Sequence, residues 1–183
     1  MSSIKVDVSI KGISPLLMHA FPMVAVDSME KKLPEQQCEI CCYREPANGS
    51  AKGKLFVPAV NVQRALIAGA VYVKGKGRAS LAKQAAACLF ISPERLVLDN
   101  QSPIVDTRPV VVPATKGRVL RHRYRFDAWT IEFVLEYDDL LMKESEARRV
   151  VDESCLRVGF LDFRPERKGP FGRAMVTKWE AQD

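Results

Sequence analysis

The chain has 183 residues, 47% of them hydrophobic, and a formal net charge of +6. That length suits a single domain spanning residues 1–183 with room for one sizeable insertion, and the hydrophobic content supports a buried core rather than disorder. No apolar run reaches the roughly 18 residues a membrane helix needs, and MSSIKVDVSI alternates like a strand rather than reading as a signal peptide. A cytoplasmic protein without a membrane partner is expected, and five cysteines with no secretory context fit free thiols in a reducing compartment.

The first element is a half-buried strand, because Ile4, Val6, Val8 and Ile10 alternate with Lys5, Asp7, Ser9 and Lys11 up to Gly12. Residues 20–53 then lose clear periodicity and contain Pro22, Pro34, Pro46, Gly49 and Gly53. They read as a long insertion within the domain, expected to be mobile without a ligand because it has no periodic apolar face to bury. KLFVP resumes as a short strand, and Asn61 is placed to cap a helix whose inner stripe is Val62, Leu66, Gly69, Ala70 and Val73.

The basic turn KGKGR, residues 74–78, leads into an alanine-rich helix from Ala79 to about Leu89, and RLVLD follows as a strand. Residues 105–112 and 118–126 flank Pro113 and Gly117 and read as a long hairpin. In the next strand Trp129, Ile131, Phe133, Leu135 and Tyr137 share one face. Ala147, Val150, Val151, Ser154 and Val158 form the inner stripe of the C-terminal helix, and residues 173–180 supply a last strand. Strand, insertion, strand, helix, several strands, helix and strand make an α+β plan of ferredoxin-like or RRM-like type, an antiparallel sheet with inserted hairpin segments.

The excess charge is concentrated. Between Arg108 and Phe126 lie Arg108, Lys116, Arg118, Arg121, Arg123 and Arg125 with no Asp or Glu, and these six match the whole net charge of +6. A localised basic patch is the footprint of a polyanion partner. The two-residue period puts Arg121, Arg123 and Arg125 on one face of their strand, about 6.6–6.8 Å apart. That is close to the phosphate repeat of an extended single strand, and guanidinium is a bidentate phosphate donor. A solvated outer sheet face, or an edge strand protected by charge against aggregation, is the plainer reading of the same strip, and a protein-binding patch is the remaining one.

A second basic segment, VGFLDFRPERKGPFGRA, combines Gly169 and Gly172 with Pro165, Pro170, Arg164, Arg167, Lys168 and Arg173. Free backbone N–H groups in such a glycine loop would form an anion-binding concavity, although Pro and Gly also build ordinary turns.

Signals for other chemistry are weak. Only His19 and His122 are available for metal-independent RNA cleavage; His122 falls on the Leu120, Tyr124 and Phe126 face, and His19 has no sequence-local partner except Asp27. Cys38, Cys41 and Cys42 have the spacing of half a zinc knuckle, but no second paired motif completes four ligands. Neither a bound metal nor another cofactor is expected, and no phosphate-binding GxxxxGK[ST] motif occurs.

Four segments together, GISPLLMHAF, LFVPAVNVQRALIAGA, RYRFDAWTIEFVLEYDD and RVGFLDFRPERKGPFGRA, resemble the RAMP superfamily of CRISPR effector proteins. Within it the likeness is greatest to the repeated backbone subunit of Cascade-like complexes, in a short or virus-borne form. The resemblance implies an RRM-like palm with a glycine-rich loop, and a thumb corresponding to residues 20–53. It implies contacts to a nucleic-acid backbone by Lys74, Lys76, Arg78, Arg118, Arg121, Arg123, Arg125, Arg164, Arg167, Lys168 and Arg173, with Phe163 or Phe171 as wedges between bases. The expected function is a non-catalytic subunit that binds single-stranded guide RNA, less readily single-stranded DNA, and assembles as copies side by side with other effector subunits. An endoribonuclease of the same fold using His19 or His122, and a protein-interaction module mimicking such a subunit, are the alternatives.

Overall fold

The alternating N-terminal residues build the centre of the main sheet. The computed structural model describes residues 3–23, 29–47, 51–75, 79–111 and 114–182. Among these the elements run β1 (Ser3–Gly12), β2 (Leu16–Met18), α1 (Pro34–Ile40), β3 (Phe56–Pro58), α2 (Ala59–Gly69), α3 (Ala82–Cys88), β4 (Phe90–Ser92), β5 (Arg95–Val97), β6 (Ile104–Val111), β7 (Arg118–Phe126), β8 (Thr130–Asp138), α4 (Glu144–Glu153) and β9 (Ala174–Ala181).

One four-stranded antiparallel sheet has the order β9-β1-β8-β4. Leaving the other elements aside, β1, α2, β4, β8, α4 and β9 follow one another as strand, helix, strand, strand, helix, strand. Their sheet order is fourth, first, third, second, which is the ferredoxin-like arrangement. Val6, Val8 and Ile10 stand opposite Leu135, Phe133 and Ile131, and all six are buried on the side that α2 and α4 cover. Each such side chain contributes about 1.5–3 kcal/mol relative to leaving it in water. The helix stripes read from the sequence face the same core: Val62, Leu66, Ala70 and Val73 from the first, and Ala147, Val150, Val151, Ser154 and Val158 from the last.

The other sheet face carries Lys5, Asp7, Lys11, Glu132 and Glu136, with Lys5 3.8 Å from Glu136. Phe90 stands at its β4 edge beside Glu136. This solvated, mixed-charge surface is not a row of aromatic stacking platforms.

The two insertions of the ferredoxin-like plan fold onto each other. Residues 13–58 lie between β1 and α2, and residues 93–129 between β4 and β8. From them, β2, β7 and β6 form one antiparallel sheet and β3 and β5 another. The outer strand β6 has Pro109 in its middle, opposite Leu120. α1 packs on β6 and β7 with Cys38 buried, and Tyr124 donates its hydroxyl to Glu39 at 2.8 Å. Arg44 also bonds Glu39, at 2.6 and 2.9 Å, and donates to the Gly53 carbonyl.

Several expectations need correction. Within the 20–53 insertion, expected to lack an apolar face to bury, Pro34–Ile40 forms α1 and packs on β6 and β7, its apolar face completed by a hairpin distant in sequence. Asn61 does not cap α2, which begins at Ala59 after Pro58. RLVLD supplies a strand as expected, paired with β3, but the main-sheet strand beside β8 is Phe90–Ser92, which the sequence does not mark.

Close packing between α2 and the end of α4 depends on Gly69, where a Cβ would overlap the Oγ and backbone of Ser154. Gly69→Ala should therefore lower stability by about 1–3 kcal/mol through overpacking. Helix propensity alone would favour alanine by about 1 kcal/mol. A urea midpoint that is unchanged or raised would contradict this close approach.

Candidate nucleic-acid interface

Helix α4 passes into a single turn of π-helix, Ser154–Val158, and then into the glycine loop at Gly159, whose φ is +72°. The loop is strongly shaped. Leu161, Phe163 and Lys168 have φ values of 57°, 48° and 61° without being glycine, and such strain is held only where the surroundings over-determine it. Gly172, at φ +72°, lies so close to the Phe160 backbone that a side chain there would overlap it.

The loop's N–H groups do not form the free row expected from its glycines. Those of Gly159, Phe160, Asp162, Arg167, Lys168, Gly169, Phe171 and Gly172 donate to backbone carbonyls, and those of Phe163 and Arg173 to the side chains of Asp162 and Ser14.

Beside the loop lies a cleft of about 640 Å³. Asn61, Arg64, Ala65, Ala68 and Val71 line it from α2 and the turn that follows, Leu161, Asp162, Arg164, Glu166 and Arg167 from the loop, and His19 and Tyr43 from the first insertion. Arg64 is exposed and is the only charged residue of α2. Arg164 is committed within the protein, donating to Glu166 at 3.1 Å and to the Leu161 carbonyl at 2.8 Å. Arg167 is exposed and has no acidic partner among the described residues.

The arginine strip of β7 is not the uniform line that its period predicts. Arg121, Arg123 and Arg125 do share a face, but only Arg121 and the terminal Arg118 are exposed. Arg123 is 9% exposed, with its Nε 2.9 Å from Asp162 Oδ2. Arg125 bonds Asp127 at 2.7 Å and lies 3.5 Å from Asp106. Asp106, opposite Arg123 in the β6–β7 register, also accepts from Arg108 at 2.7 and 3.0 Å. Burial would raise the Asp106 carboxyl, but the hydrogen bonds and charges of Arg108 and Arg125 outweigh it and hold it low. Arg125 is thus a fixed, partly neutralised donor, and Arg123 is paired with Asp162 by charge and proximity, without hydrogen-bond geometry at its Nε, while Arg121 has no acidic partner among the described residues.

The remaining basic residues disperse. Lys74, Lys168 and Arg173 are exposed and none lines the cleft, while Lys76 and Arg78 lie outside the described residues, as does Asp27. The proposed wedges also separate. Phe171 is buried, its ring 6.0 Å from Phe163 and under the Arg108 guanidinium at 4.9 Å, whereas Phe163 reaches the surface.

His122 is satisfied across the hairpin, its Nδ1 2.8 Å from Thr107 Oγ1. His19 sits differently. Burial lowers its pKa below 6.5, with Asp162 opposing and Arg123 and Arg121 reinforcing the shift. Its Nδ1 is covered and has no partner among the described residues. The neutral tautomer with the proton on Nε2 avoids burying an unpaired N–H and leaves His19 a donor on the cleft side. The thiols of Cys38 and Cys42 are pushed up to about 12 and about 11, chiefly by burial, which holds them protonated. The described residues contain no grouping of three metal-ligating side chains, and none of their helices is long and apolar enough to cross a membrane.

Replacing Arg123 by Gln should cost about 1–3 kcal/mol by breaking its pair with Asp162. Arg121→Gln should stay within roughly 0.5 kcal/mol. Equal unfolding midpoints for the two variants would contradict the buried pair. For His19 the folded pKa lies below the unfolded 6.5, so the unfolded chain binds the proton first as pH falls. Its contribution to stability is whole above that value and is lost as the pH drops through the window beneath it. His19→Asn should flatten the fall in stability between about pH 7 and pH 5. Unfolding midpoints across this range, compared with the parent protein, check the sign.

No protein-family model matches this chain, and no curated protein does. Its fold is shared with a chain in the cryo-EM structure of the Type III-B Cmr-beta bound to cognate target RNA, at a TM-score of 0.55 and 13% identity. The match covers 98% of this chain and 60% of that one.

Proposed function

We propose that this protein is a non-catalytic subunit that binds single-stranded RNA by its backbone and assembles side by side along a guide RNA in a CRISPR-type ribonucleoprotein. The observation that carries this reading is the convergence of cations from separate parts of the chain at one cleft. Arg64 of α2 and Arg167 of the loop line it, and Arg121 of β7 lies near enough to influence His19. The ferredoxin-like order, with a basic loop between its last helix and last strand, agrees with the resemblance to RAMP proteins. A structural neighbour is a chain of the Type III-B Cmr-beta bound to cognate target RNA. In this reading the insertion that carries α1 acts as the thumb, partners are copies of the chain and other effector subunits, and the protein works in the cytoplasm. His19 and His122 serve as a donor and a cross-strand bond, not as an acid–base pair.

The test measures binding of single-stranded RNA against salt for the parent protein and for Arg64→Gln, Arg121→Gln and Arg167→Gln combined. The slope of log K against log salt should fall by about 0.7 for each phosphate that is no longer neutralised. The mass of the complex should rise in steps as the RNA is lengthened, and the RNA should stay uncut. An unchanged slope in the folded triple variant would remove the cleft from the interface, and accumulating cleavage products would favour the endoribonuclease reading.

A further inference from the structure

Among the cations of the cleft, Asp162 is out of place for a site that meets only phosphates. A carboxylate there repels the strand it should help to hold. Its position is nevertheless built: Oδ2 faces Arg123 Nε at 2.9 Å, Oδ1 accepts the Phe163 N–H at 3.0 Å, and its backbone N–H bonds the Leu17 carbonyl at 3.1 Å. About a third of the side chain, 35%, remains exposed, and the residue lines the cleft. Each carboxylate oxygen can accept more than one hydrogen bond, so acceptor capacity is left over. The other acid in the cleft, Glu166, is taken up by Arg164.

A phosphodiester backbone of DNA contains no hydrogen-bond donor, and that of RNA contains one per nucleotide, the ribose 2′-hydroxyl. We infer that Asp162, held by Arg123 and the Phe163 N–H, accepts the 2′-hydroxyl of a strand lying in the cleft and so makes this protein select RNA over DNA. The inference rests on the single-strand-binding reading above and adds the specificity-determining residue to it. Arg123 neutralises the carboxylate enough for nearby phosphates to be tolerated. A hydrogen bond to a charged acceptor is strong enough for about tenfold discrimination at a single contact.

The experiment compares three oligonucleotides of one base sequence, about ten nucleotides long so that a single domain covers them. They are RNA, its 2′-deoxy form with the same bases, and its 2′-O-methyl form, which keeps an RNA-like sugar conformation but lacks the donor. The parent protein should bind RNA about tenfold more tightly than either analogue. Asp162→Ala should bind all three alike, and Asp162→Asn, which keeps one acceptor, should fall between. Should Asp162→Ala fail to fold without the Arg123 pair, Asp162→Asn takes its place, and a full preference retained by that folded variant would overturn the assignment.

Affinities within about twofold across the three strands would overturn the role of Asp162 while leaving RNA binding intact. A full preference retained by folded Asp162→Ala would do the same. A dependence on base sequence without any dependence on the 2′ position would assign the carboxylate to a base amine instead and would also overturn it. Failure to bind any of the three would overturn single-strand binding itself.

Discussion

The structure depends on one short joint, Leu16–Met18. All three side chains are fully buried, and the backbone is used on both edges: Leu16, Leu17 and Met18 pair with Phe126, Arg125 and Tyr124, while Leu17 also bridges to Asp162. Immediately before it the Pro15 carbonyl accepts from Gly172, and Met18 accepts from the Tyr43 N–H. The hairpin and the glycine loop therefore meet along a few residues of backbone in the first insertion, and Tyr43 is tied to them through the Met18 sulfur. His19, the next residue, is placed against the cleft by that joint rather than by any helix of its own. Main-chain pairing leaves little freedom in the geometry, because each buried N–H or C=O left without a partner would cost about 1–3 kcal/mol.

The elements that the sequence revealed are those with a long local period. The stripe from Trp129 to Tyr137 and the stripe from Ala147 to Val158 are buried along their lengths because one face of each repeats often enough to show. Of the four strands of three residues, β3 and β5 are marked as strands by KLFVP and RLVLD, whereas β2 and β4 are too short to express a period of two and exist because a partner elsewhere supplies their hydrogen bonds. The insertion from residue 20 to 53 was illegible for a related reason. Its organised part is anchored through Tyr124 and the β6–β7 hairpin, far along the chain, as in the Glu39–Tyr124 bond with a separation of 85.

Charge was readable as a total but not as an arrangement. The run from Arg108 to Phe126 contains no acid, yet Asp106 stands two positions before it, Asp127 one after, and Asp162 arrives from the loop. The β6–β7 register, which places Asp106 opposite Arg123, converts an apparently unopposed line into alternating charges. Arg64 was missed for the opposite reason: a single cation on an otherwise uncharged helix makes no cluster in sequence. Only the fold brings it beside Arg167, where two isolated charges act on one space.

Pro109, in the outer strand of the β2-β7-β6 sheet, sets a boundary on how copies of this protein can meet. An open strand edge recruits another strand through its row of unpaired amides, and a proline there removes one donor and places a rigid ring in the approach. Continuous strand-on-strand growth is therefore blocked at the hairpin. At that edge a contact between copies would have to use side chains and loops rather than the roughly 4.7–4.9 Å step of a growing sheet, which protects this edge from fibre formation.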